Sequence, residues 1–89
     1  MEKAIEKYLV SSVERLGGWC LKLAPIFNLG LPDRLVLLPH GRVVFVELKR
    51  EGAKPTSLQT KIHNRLRRLG FHVEVLSSKG EVDAFTSPL

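Results

Sequence analysis

Apolar residues recur at Ile5, Leu9, Val13 and Leu16, at spacings of four, four and three. That period puts them on one stripe of a helix over residues 2–16. Gly17-Gly18 stops it. The period then changes to two: Trp19, Leu21 and Leu23 share one face of a short strand. Residues 25–32, PIFNLGLP, carry two prolines, a glycine and an asparagine, the composition of a loop. Asp33 to Leu38 reads as a second strand, Pro39 to Arg42 as a turn, and Val43 to Arg50 as a third strand, so the last two form a hairpin. After a loop over residues 51–55, Thr56 or Ser57 caps a second helix that reaches Leu69, with Leu58, Ile62, Leu66 and Leu69 as its apolar stripe. Gly70 ends that helix, Phe71 to Leu76 is a fourth strand, and residues 79–86 suit a short closing helix. The order α-β-β-β-α-β, then α, predicts an α/β fold with a mixed sheet flanked by helices.

The third strand holds the first sign of chemistry. Val43, Val44, Phe45 and Val46 are apolar on both faces, as in a central, buried strand. Glu47 and Lys49 then follow on one face. The hairpin register decides what stands opposite. A two-residue loop at His40-Gly41 pairs Arg34 with Glu47, whereas a three-residue loop pairs Asp33 with Glu47. Both bring Asp33 near Glu47 and Lys49. Two carboxylates that close repel, and one takes up a proton unless a cation intervenes. A hard divalent ion such as Mg²⁺ resolves the conflict, binds oxygen ligands, and can position and acidify a water beside a phosphate. Taken alone, Glu47 and Lys49 fit an ion pair at a fraying strand end better than they fit a metal site.

Charge bears on the choice. The 89 residues make one domain, 1–89, with a modest core that self-association would help to stabilise. The formal charge is +5, which favours an anionic partner, nucleic acid first. Lys61, Arg65 and Arg68 fall at i, i+4 and i+7 and make one face of the second helix basic. Lys49, Arg50 and Lys54 precede that helix, Arg67 lies beside its basic face, and Arg34 and Arg42 flank the hairpin. Such groups neutralise phosphates without reading bases. Aromatic residues do not interleave with them, which argues against single-strand stacking. The single cysteine, Cys20, sits among apolar neighbours and reads as a packed thiol. No apolar run spans a membrane and no signal peptide opens the chain, so the cytoplasm is the expected compartment.

GLPDRLVLLPHGRVVFVELKREGAKPTSLQ, residues 30–59, resembles the VRR-NUC domain of the PD-(D/E)XK nuclease superfamily, in its small stand-alone form from phages and bacteria. Gly30, Pro32-Asp33, the Glu47-Leu48-Lys49 triplet and Gln59 stand at the family's spacing, and the likeness runs from the first helix to about Leu76. It implies a restriction-endonuclease-like core and a Mg²⁺- or Mn²⁺-dependent endonuclease. By position, Asp33, Glu47 and the Leu48 carbonyl would hold the metal, Lys49 would be the catalytic lysine, and Gln59 would line the site. The family's helix glutamate matches Glu2 best, with Glu6, one turn on, as the alternative. Family members of this size resemble Holliday-junction resolvases, which implies a homodimer and branched DNA. Lys54, Lys61, Arg65 and Arg68 are the expected DNA contacts.

Two other functions compete with this reading: a DNA-binding module that keeps the fold without catalysis, and a structural dimerisation domain. His40, His63 and His72 lie too far apart in sequence for a local zinc motif. His63 adjoins the apolar stripe, and a supporting role behind the site is open to one of the three. Tyr8 and Trp19 suit packing or dimer contacts. Glu81 and Asp83 read as surface charges. A phosphate-loop motif is absent, which argues against nucleotide hydrolysis.

Overall fold

The computed structural model describes residues 3–23 and 30–89. Its elements are α1 (Lys3–Arg15), β1 (Trp19–Lys22), β2 (Arg34–Leu38), β3 (Arg42–Leu48), α2 (Ser57–Arg68), β4 (His72–Leu76) and α3 (Lys79–Thr86). Most of the loop expected over residues 25–32 lies outside the described residues, as does Glu2.

The four strands form one mixed sheet in the order β1-β2-β3-β4. Neighbours β1/β2 and β2/β3 are antiparallel, while β3/β4 are parallel, with α2 as the crossover. The strand that is apolar on both faces, β3, lies between two partners. That is the position which leaves neither face to water. Residues opposite one another share a face, so Cys20, Val36 and Val44 form one row on the side that meets α1 and α3. There Ile5, Leu9 and Val13 of α1 and Val82 and Phe85 of α3 close the core over Val36, Val46 and Leu48. Cys20 is buried, as its neighbours imply.

Trp19, read as a packing or dimer-contact residue, is exposed within this chain and so is not part of its core, which agrees only with the second of those roles. The α2 stripe is not core either: Leu58 and Leu69 are exposed, Ile62 and Leu66 are half-buried, and the buried residue of α2 is His63. A 3.6-residue period shows that a face is apolar but not that something covers it.

The hairpin connection is a single 3₁₀ turn, Pro39–Gly41, with His40 at φ 68° and Gly41 at φ 73°. Its three residues set the rows from Leu38↔Arg42 to Arg34↔Val46. Gly30 matters for the approach to β2. Its φ is +90°, and a Cβ there would lie 3.0 Å from the Leu58 carbonyl oxygen. Only glycine lets the chain pass this close to α2 in that conformation.

Candidate active site

Continuing the β2–β3 rows by one step puts Asp33 opposite Glu47, the register of the three-residue turn. Asp33 also closes the end of the pairing with its side chain. Its Oδ2 accepts the Leu48 backbone N–H at 2.8 Å. The carboxylate is thereby anchored to the residue after Glu47, and its other oxygen is left for further contacts.

Glu47 points to the α2 side of the sheet and is 2% exposed. Its Oε2 accepts a hydrogen bond from Gln59 Nε2 at 3.3 Å and lies 3.5 Å from Lys49 Nζ. Gln59 is itself held in place. Thr56 is the N-cap of α2; its hydroxyl accepts from Gln59 N, and Gln59 Oε1 accepts from Thr56 N. This reciprocal capping box fixes the glutamine at the third helical position, so its amide N–H₂ is aimed at Glu47. The regular strand ends at Leu48, one residue before Lys49, although Lys49 N still donates to the Leu76 carbonyl at 2.9 Å.

Burial pushes the Glu47 pKa up to about 7, with the Asp33 charge adding to the rise and Lys49 opposing it. Its Oε1 is buried without a hydrogen-bond partner. Asp33, Glu47, Leu48, Lys49, Arg50 and Gln59 line one cleft of about 340 Å³. Among the described residues, no three His, Cys, Asp or Glu side chains gather as a metal site. A buried glutamate whose pKa is raised beside a second carboxylate, with one oxygen lacking a hydrogen-bond partner, still suits a hard cation, because Mg²⁺ uses one or two carboxylates and keeps several waters. The donor set is thus all oxygen from the protein side.

Other expected residues fall elsewhere. Glu6 is on α1, on the opposite side of the sheet, where Arg34 grips its Oε2 through Nη2 at 2.7 Å and Nε at 3.2 Å. Arg34 also donates to the Cys20 carbonyl. That commitment removes Arg34 from the groups available to phosphates. Arg67 is likewise tied down, to the Val73 carbonyl at 3.0 Å. Lys54, Lys61, Arg65 and Arg68 are exposed. Lys61 and Arg65 each lie two residues past Gln59 and His63, roughly 200° around the helix, so they face away from the sheet.

His63 is the residue that the sequence did not single out. It is 1% exposed, and its Nε2 lies 3.9 Å from Glu47 Oε1. Burial lowers its pKa, helped by the charges of Arg67 and Lys49 and opposed by Asp33. The available signal was its spacing: His63 is four residues after Gln59, one turn along the same helix face.

Comparisons with known proteins agree with this geometry. No family profile matches the chain. A curated protein of Acyrthosiphon pisum secondary endosymbiont phage 1, named "Putative nuclease p44", is 49% identical over 78 residues, covering 88% of this chain and 84% of its own length. A solved structure described as "VRR_NUC domain" superposes with a TM-score of 0.90 at 39% identity, over 97% of this chain and 94% of its own. With this sheet order, this hairpin register and these relatives, the chain belongs to the VRR-NUC family of nuclease domains, within the PD-(D/E)XK superfamily.

Proposed function

We propose that this protein is a Mg²⁺- or Mn²⁺-dependent endodeoxyribonuclease that acts as a homodimer on branched DNA, in the manner of a Holliday-junction resolvase. The observation that carries the reading is the convergence of Asp33, Glu47, Lys49 and Gln59, from three separate segments, on one cleft. Asp33, Glu47 and the Leu48 carbonyl would hold the cation. Such an ion supplies charge to a phosphate oxygen and lowers the pKa of an attacking water. Lys49, beside Glu47, orients that water or offsets charge developing on the phosphate. Gln59 keeps Glu47 aimed. Glu2 is the better match to the family's helix glutamate, since Arg34 occupies Glu6.

Self-association has support from the surface. The row partners Trp19, Leu37 and Val43, and Leu21, Leu35 and Phe45, lie on the side of the sheet away from α1, and each is exposed or half-buried. A second copy would cover apolar area there, and two-fold symmetry would match a four-way junction with two sites. Among the described residues no helix is long and apolar enough to cross a membrane, and the phage relative fits action in the cytoplasm of a bacterial or phage-infected cell.

A cleavage assay tests this. The protein would meet a four-way junction, a matching linear duplex and a flap, each with Mg²⁺, Mn²⁺ or EDTA. Paired symmetric nicks in the junction that need metal are the expected result. Cutting of every substrate removes the selectivity. Binding without cutting in any metal points instead to a non-catalytic DNA-binding module.

Basic residues at the cleft and on the outer face of α2 can be separated by salt dependence. Arg50 lines the cleft. Arg50→Ala should weaken DNA binding and reduce the slope of log affinity against log salt by about one. Arg65→Ala should do the same if the outer face of α2 also meets phosphates. An unchanged slope for Arg65→Ala, measured by fluorescence anisotropy, takes that face out of the interface.

A further inference from the structure

Glu47 and His63 each bury one polar atom that has no partner, and the two atoms face each other. Glu47 Oε1 and His63 Nε2 are 3.9 Å apart, and both are shielded from solvent. Buried polar groups left unpaired are unfavourable by about 1–3 kcal/mol each. One hydrogen bond would satisfy both at once. The gap is within reach of a small side-chain adjustment, or of a single bridging water. Glu47 Oε2 is already occupied by Gln59 and Lys49. Oε1 is thus the oxygen that determines how the carboxylate is rotated.

We infer that His63 is a positioning residue for Glu47: its Nε2–H donates to Glu47 Oε1, directly or across one water, and holds the carboxylate in the orientation that presents it to a cation in the cleft. The inference rests on the metal-dependent reading above. It does not depend on the charge of the ring, since both the neutral Nε2–H tautomer and the imidazolium carry the required hydrogen. The arrangement places an α2 donor on each carboxylate oxygen, Gln59 on Oε2 and His63 on Oε1, one helical turn apart. Partners behind a ligand usually set its orientation, and their loss commonly weakens metal binding by about 10–100-fold.

Two variants of equal length separate donation from packing. His63→Met fills the space without a donor; His63→Gln keeps an N–H at a similar reach. Titration calorimetry with Mn²⁺ should show about 10-fold or greater weakening in His63→Met and recovery to within about 3-fold of wild type in His63→Gln. Equal affinity in all three proteins overturns the inference, as does equal weakening in both variants, which would mark His63 as packing only. If the wild-type chain binds no Mn²⁺ at all, the metal-dependent reading falls and this inference with it. If the wild type binds and His63→Met binds as well, only His63 loses its role. Should His63→Met fail to fold, long-range ¹H–¹⁵N correlation spectra of the Mg²⁺-loaded wild type decide the matter. A proton on His63 Nε2 is expected. A ring protonated on Nδ1 alone contradicts the donation.

Discussion

Asp33→Asn is expected to slow DNA cleavage by on the order of 10³-fold with little change in DNA affinity. The asparagine is nearly isosteric, and its remaining oxygen can still accept the Leu48 N–H that Asp33 Oδ2 accepts at 2.8 Å. The end of β3 should therefore stay closed, and the change removes mainly one negative charge opposite Glu47. Single-turnover cleavage and anisotropy binding, measured on the same preparation, separate the two effects. Lys49→Ala should lower the rate by a comparable factor, since a group that moves or steadies a proton contributes about 10²–10⁴-fold. A variant at either position that cleaved as fast as wild type would show the cleft to be the wrong place for the chemistry.

The second large effect concerns stability. Glu47 titrates at about 7 in the folded chain, against 4.5 for the free group, mainly through burial and then through Asp33. Between those two pH values the folded chain retains a proton that the unfolded chain has released. Stability therefore falls as pH rises through this window, and the loss is complete above the folded pKa. Its size is about 3 kcal/mol if the whole shift is expressed. Glu47→Gln removes that burden but also loses the attraction of Lys49. At pH 8 without metal, the variant should be more stable than wild type by about 2 kcal/mol, raising Tm by roughly 10 °C. At pH 4 the advantage should vanish. Added Mg²⁺ should stabilise the wild type and not the variant, because binding to the folded state alone shifts the unfolding equilibrium. The variant should also be inactive. Parallel pH–stability curves for the two proteins would show that Glu47 carries no such strain.

The element order, the central place of the third strand and the approach of Asp33 to Glu47 were all legible along the chain. They depend on local rules: a 3.6-residue period for α1, alternation and β-branching for the strands, and glycines at the helix ends. The Thr56-x-x-Gln59 spacing encodes both the start of α2 and the aim of Gln59, because a capping box is closed within four residues. The hairpin stayed open between two registers, since Pro39-His40-Gly41-Arg42 allows a two- or three-residue connection. The turn adopted, with His40 in the left-handed region, selected the pairing that sets Asp33 against Glu47.

What tertiary structure alone decided was which side of each element meets which partner. The apolar stripe of α2 predicts a buried face, yet Leu69 remains 68% exposed while His63 is enclosed beside Glu47. Periodicity measures the chemistry of a face and is blind to what lies across from it. Arg34 shows the same limit. In sequence it is a cation next to Asp33; in the fold its side chain turns to the other side of the sheet and grips Glu6. Residue types and spacing determined the donors available to this protein. The crossing of α2 over the end of β3, a contact between segments distant in the chain, determined that a histidine would stand behind the site's glutamate.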